Sequence, residues 1–249
     1  MRAAITAAIL LVAMASPALS SEGRGAVLGA PPDTVEPSAT YVIYLHGAIL
    51  ESEGPEAVHP DFGRYEYAAI LDAMASSGVI VLSDLREAGT DGAEYASVVA
   101  SWVDSLLSEG VAPERVTVIG FSKGGGIAMR ACSDIGNERI NYVFMACCPR
   151  RMKNWPDERY AGRVLCIYEA SDTYAGSCRG AVLGASGDSG AFPKRGGSAE
   201  GGGDGTALVV YEELEIDTGL KHGAFYRPLD VWLGPAIDWA VSEMSRAGR

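Results

Sequence analysis

From about residue 40 onward, short apolar runs alternate with longer amphipathic stretches. The runs at 41–45, 79–82, 115–119, 142–146 and 162–168 are rich in β-branched and aromatic residues and are bounded by turn formers, which predicts strands. Between them, 65–76 and 95–109 have helical spacing. The second of these carries Val98, Val99, Trp102, Val103, Leu106 and Leu107 as its core stripe. Residues 207–211 predict the last strand and 235–245 a closing helix, with Ile237 and Val241 facing inward. Strands separated by helices predict an α/β domain: a mostly parallel central sheet with helices on both faces.

Two segments break this rhythm. Residues 50–63, rich in Glu, Gly and Pro, read as a long loop. Residues 179–205 are loaded with Gly, Ser and Ala and hold few large apolar side chains. Such a stretch buries too little surface to order itself, so a flexible insertion is expected. It lacks the apolar face of a lid, which favours a solvated linker.

The first twenty residues read as a secretory signal peptide. Met1-Arg2 is positive, residues 4–15 are apolar, and Ala18-Leu19-Ser20 is a small-x-small site with cleavage before Ser21. The apolar run is short for a membrane span and no later stretch is long enough, so no stable membrane insertion is expected. The remainder, 21–249, suits a single domain, exported to a periplasmic or extracellular space. The net charge of −12, with a pI near 4.7, disfavours nucleic acid and anionic surfaces as partners. Nothing in the sequence sets the oligomeric state.

The candidate chemistry centres on Gly120-Phe121-Ser122-Lys123-Gly124, between a strand and a Gly-rich helix start. A strand-to-helix turn this sharp exposes the serine and needs small neighbours two residues away on each side. The pentapeptide alone is a weak signal, so its context decides. Upstream, His46-Gly47-Ala48-Ile49 follows a strand. Acyl transfer needs two backbone N–H groups aimed at the oxyanion, and Lys123 and Ala48 are the expected donors, with Ile49 the alternative for the second. Downstream, Asp172 lies just past the strand at 162–168 and is the expected acid, with Glu169 its competitor. Of the three histidines, His59 reads as surface loop. His222, flanked by glycines, is the expected general base. The residue after such a nucleophile offers its N–H to the oxyanion, which disfavours a Ser-Lys mechanism through the Lys123 side chain.

The order Ser122, Asp172, His222 resembles that of the α/β-hydrolase superfamily, from about residue 40 to the end of the chain. The short His46-Gly47 loop resembles that of small carboxylesterases and dienelactone-hydrolase-like members. The resemblance implies a parallel sheet flanked by helices, a Ser-His-Asp triad and hydrolysis of an ester-like bond in a small molecule, with no cofactor and no metal. A non-catalytic binding protein, an acyltransferase or a peptidase on the same fold are the rivals. Among Cys132, Cys147, Cys148, Cys166 and Cys178, the loop residue Cys178 is the best placed to pin the acid loop, bridged to Cys147 or Cys148. No cysteine spacing suits zinc.

Overall fold

The computed structural model describes residues 25–152, 159–183 and 209–242. The signal-peptide expectation and most of the Gly/Ser-rich stretch, from residue 184 on, lie outside these. The chain begins with β1 (Val27–Leu28) and β2 (Tyr41–Leu45). Next come α1 (Ile49–Glu53) and a small hairpin of β3 (Val58–His59) and β4 (Gly63–Arg64). The helices α2 (Tyr67–Ala75) and α3 (Gly92–Ser108) flank β5 (Ile80–Leu82). The central unit is β6 (Val116–Phe121) followed by α4 (Lys123–Ile135). Then come β7 (Asn141–Met145), β8 (Cys148–Pro149), β9 (Gly162–Glu169), β10 (Ala175–Gly176) and α5 (Arg179–Val182). The last elements are β11 (Val209–Ile216) and α6 (Asp230–Val241).

Seven strands form one sheet in the order β1-β5-β2-β6-β7-β9-β11, and every neighbouring pair is parallel. A parallel sheet is covered on both faces, which is why β2, β6 and β7 are buried at every position. Alternate residues serve opposite cores. Val42 and Tyr44 pack with α2 and α6 on one face, and Tyr41, Ile43 and Leu45 pack with α3 and α4 on the other.

Several local expectations need correction. The stretch 50–63 is not one long loop: Leu50 is buried, which anchors the short α1, and β3 and β4 pair beyond it. These elements are too short to show a period in the sequence. In α3 the buried ridge is Ala96, Val99, Val103 and Leu106, while Val98 is exposed. Val98 sits one residue from the ridge, about 100° round the helix. The closing helix starts five residues before Pro235, so the proline lies inside α6. The first residues of the Gly/Ser-rich stretch form α5, with Ala181 and Val182 buried.

Cys178 is bridged to Cys148, and Cys132, Cys147 and Cys166 are free. The bridge crosses beside the antiparallel pair of β8 and β10, so bond and ladder together fasten the segment after β9 to the end of β7. Peptide mapping without reductant should therefore link Cys148 to Cys178 and find the other three alkylated. Cys148→Ser should cost about 2–4 kcal/mol of stability, read from urea unfolding.

Candidate active site

The strand β6 ends at Phe121 and α4 begins at Lys123, so the whole change of direction falls on Ser122. Its backbone has φ 53° and ψ −118°, a region costly for a residue with a side chain. Close packing holds it there. A Cβ on Gly120 would meet the Gly124 carbonyl oxygen at 2.3 Å, and one on Gly124 would meet that of Leu45 at 2.0 Å. The Ser122 N–H donates to Met145 O on the neighbouring strand at 2.9 Å.

Two other loops bring their side chains to this turn. His222, in the 3-10 segment Lys221–Tyr226, has Nε2 3.0 Å from Ser122 Oγ. Its Nδ1 lies 2.7 Å from Asp172 Oδ2. An ionised carboxylate only accepts, so Nδ1 carries the proton and Nε2 faces the serine as acceptor. The Phe121 ring, 4.9 Å from the imidazole, supports it from one side. Asp172 is buried, and its Oδ1 accepts from the N–H groups of Tyr174 at 2.8 Å and Ala175 at 3.3 Å. Burial pushes its carboxyl up, but His222 and the two N–H groups push further the other way, leaving it below its ordinary 3.8.

Ala48, Ser122 and Lys123 line one cleft, whereas Ile49 packs partly buried against the core. Ala48 stands at the N-terminus of α1 and Lys123 at that of α4, so both belong to first turns, whose N–H groups have no intrahelical partner. The Lys123 ammonium is engaged by Glu51 and by Thr90 O at 2.7 Å. Glu51 also accepts from Arg86 Nε at 2.9 Å, and Arg86 is buried against His46. His46 Nε2 accepts the Arg86 backbone N–H at 3.0 Å, and Nδ1 donates to Gly47 O at 2.8 Å. Burial, then the Arg86 charge, push its pKa down to about 4, so it is a neutral structural residue. The thiol of Cys147 also lines the cleft, but burial pushes its pKa well up, which argues against a thiolate nucleophile.

The competitor acid, Glu169, has a different place. It is fully buried and accepts five hydrogen bonds: from Ser171 N and Oγ, from Thr218 N and Oγ1, and from Gly219 N, at 2.7–3.2 Å. It therefore ties the loop that carries Asp172 to the loop that carries His222. Arg150 fixes the same acid loop through its backbone, donating to the carbonyls of Asp172, Glu169 and Ala170. Neither this clamp nor the Arg86–Glu51–Lys123 chain was foreseen from sequence. The partners that join one loop to another lie tens of residues apart and form no motif.

The sulfurs of Cys147, Cys148 and Cys178 lie within 4.8 Å of one another, but the disulfide uses two of the three. One remaining thiol is too few ligands for a metal.

No protein-family model matches the chain, and no curated protein does. Solved structures do. The chain is similar to an esterase from Pyrobaculum calidifontis, with 17% identity, a TM-score of 0.52, and 87% of this chain and 79% of that one covered. It is also similar to an esterase/lipase from an uncultured bacterium, with 10% identity, a TM-score of 0.51, and 88% and 80% covered. The chain has the α/β-hydrolase fold. In this α/β-hydrolase fold the serine turn follows a central strand, and the acid and histidine loops follow the next strands toward the β11 edge.

The buried titratable groups set a pH profile. The unfolded chain protonates His46 near its ordinary 6.5, while the folded chain does so only near 4, so stability is complete above 6.5 and declines from there toward 4. Glu169, held below its ordinary 4.5, and Asp172, below 3.8, add losses at still lower pH as they take protons. For Glu169, burial raises the carboxyl and the hydrogen bonds outweigh it. Urea unfolding from neutral pH downward should show this decline, and His46→Gln should flatten its upper part. Glu169→Gln, which turns an acceptor into a donor facing donors, should cost about 2–4 kcal/mol at neutral pH.

Proposed function

We propose that the protein is a serine hydrolase that cleaves a carboxylic ester or a related acyl bond through an acyl-enzyme. Ser122 Oγ attacks the carbonyl carbon while His222 Nε2 takes its proton. Asp172 keeps the proton on Nδ1 and stabilises the imidazolium that forms. The N–H groups of Lys123 and Ala48 receive the oxyanion. Collapse of the tetrahedral intermediate expels the alcohol, which leaves with the proton from His222. A water, deprotonated by His222, then attacks the acyl-enzyme and frees Ser122. This chemistry needs no metal or organic cofactor.

The observation that carries the reading is the unbroken contact chain from Asp172 through His222 to Ser122, at 2.7 and 3.0 Å, ending on a strained turn. The two similar proteins are an esterase and an esterase/lipase, which agrees with it. The N-terminal pattern of Met1-Arg2, an apolar run and Ala18-Leu19-Ser20 supports an exported enzyme acting on a small-molecule ester.

Ser122→Ala and His222→Ala should each lower kcat on p-nitrophenyl acetate by on the order of 10⁴ or more, and Asp172→Asn by roughly 10³–10⁴. Steady-state kinetics on folded variants checks this. Activity retained in Ser122→Ala would sink the assignment.

A further inference from the structure

The next inference rests on the hydrolase reading and concerns the substrate's alcohol. The proton that His222 Nε2 takes from Ser122 must be passed to the leaving oxygen, so the alcohol half departs across His222. The acyl half then belongs with the oxyanion donors, in the cleft of about 580 Å³ lined by Ala48, Ser122 and Lys123.

A second cleft, of about 550 Å³, is built from the residues that flank His222 and Asp172. Lys221 precedes the histidine and Thr173 follows the aspartate. The β3–β4 hairpin adds Asp61 and Phe62, and Arg227 completes the wall. The Phe62 ring lies 6.1 Å from the imidazole. The hairpin tip is pressed onto the histidine loop, since a Cβ on Gly223 would sit 2.8 Å from Phe62 Cβ. Arg227 Nη2 reaches Phe62 O at 3.5 Å. Its Nε stands 4.0 Å from Glu66 and has no hydrogen-bond partner among the described residues.

We propose that this second cleft is the alcohol subsite and that it takes a carbohydrate unit, which makes the substrate an acylated sugar. An anionic alcohol would meet Asp61 and the field of a chain with net charge −12. A cationic one would meet Lys221 and Arg227. An aliphatic one would strip water from all three charges and return nothing. A sugar hydroxyl both donates and accepts, so neighbouring hydroxyls can donate to Asp61 and accept from Lys221 and Arg227. His59 stacks on one face of the Phe62 ring, with centroids 4.3 Å apart; the opposite face suits the C–H face of a pyranose, because an aromatic face is electron-rich and C–H hydrogens carry slight positive charge.

A matched pair of acetate esters tests this: a methyl hexopyranoside acetylated on its primary hydroxyl, against cyclohexylmethyl acetate. The acyl group, the primary ester position and the ring size are the same, and the sugar adds its hydroxyls, the ring oxygen and the anomeric methoxy group. The expected kcat/KM favours the sugar ester by about tenfold or more. Asp61→Ala and Arg227→Gln should each shrink that ratio by about tenfold, with thermal midpoints showing that both variants fold. A wild-type ratio at or below unity overturns the proposal, as does a ratio that neither variant changes. If the wild type cleaves p-nitrophenyl acetate but prefers the cyclohexylmethyl ester, the sugar subsite falls and the hydrolase reading stands. If it cleaves none of the three esters, the hydrolase reading falls and the subsite with it.

Discussion

The arrangement depends on one steric constraint, the space at Gly120 and Gly124. The backbone of β6 reverses into α4 within a single residue, and the two chain segments touch where side chains would otherwise stand. That contact drives Ser122 to a positive φ at the C-terminal end of β6, a central strand. Strain of this kind persists only where the surroundings over-determine it. Here they do: the helix packs on β6 and β7, and the Ser122 N–H is tied to Met145.

Around this fixed point, two buried carboxylates outside the Asp172–His222–Ser122 contact chain organise the loops that meet it. Glu169 converts five N–H and O–H donors from two loops into one rigid joint, and so governs how Asp172 approaches His222. Among the described residues its charge is offset by hydrogen bonds and not by an ion pair, which makes the joint sensitive to geometry. Glu51 does the corresponding work on the side of Ala48 and Lys123. It joins α1, Arg86 and the first residue of α4 through ion pairs whose carboxylate and guanidinium are almost wholly buried. The acid loop has a third restraint in the disulfide and the β8–β10 ladder. The serine turn and the two loops that meet it are therefore held in place by the fold, the preorganisation that the proposed chemistry requires.

Much of this could be read in the sequence, for reasons that differ by element. The parallel core was legible because strands buried on both faces become apolar runs, as at Tyr41–Leu45 and Val116–Phe121. The serine turn was legible because its sterics demand glycine at fixed offsets, and Asp172 and His222 because each follows an apolar strand run. The bridging partner of Cys178 was narrowed to two neighbours and no further, since Cys147 and Cys148 are equally near in sequence. The hairpin at 58–64 escaped notice because two-residue strands have no periodicity. In the sequence Glu169 reads as a rival acid and not as a clamp, because its partners Thr218 and Gly219 lie 49 and 50 residues away. Arg86 gave no signal at all: its meaning comes from burial against His46 and Glu51.

The central claim is that Ser122 is the nucleophile and that Lys123 and Ala48 receive the charge it generates. A crystal structure of the protein inactivated with a fluorophosphonate tests this most directly. The account predicts phosphorus bonded to Ser122 Oγ, with the phosphoryl oxygen within hydrogen-bonding distance of both backbone N–H groups. An unmodified Ser122, or an adduct whose oxygen faces away from Lys123 and Ala48, would contradict it.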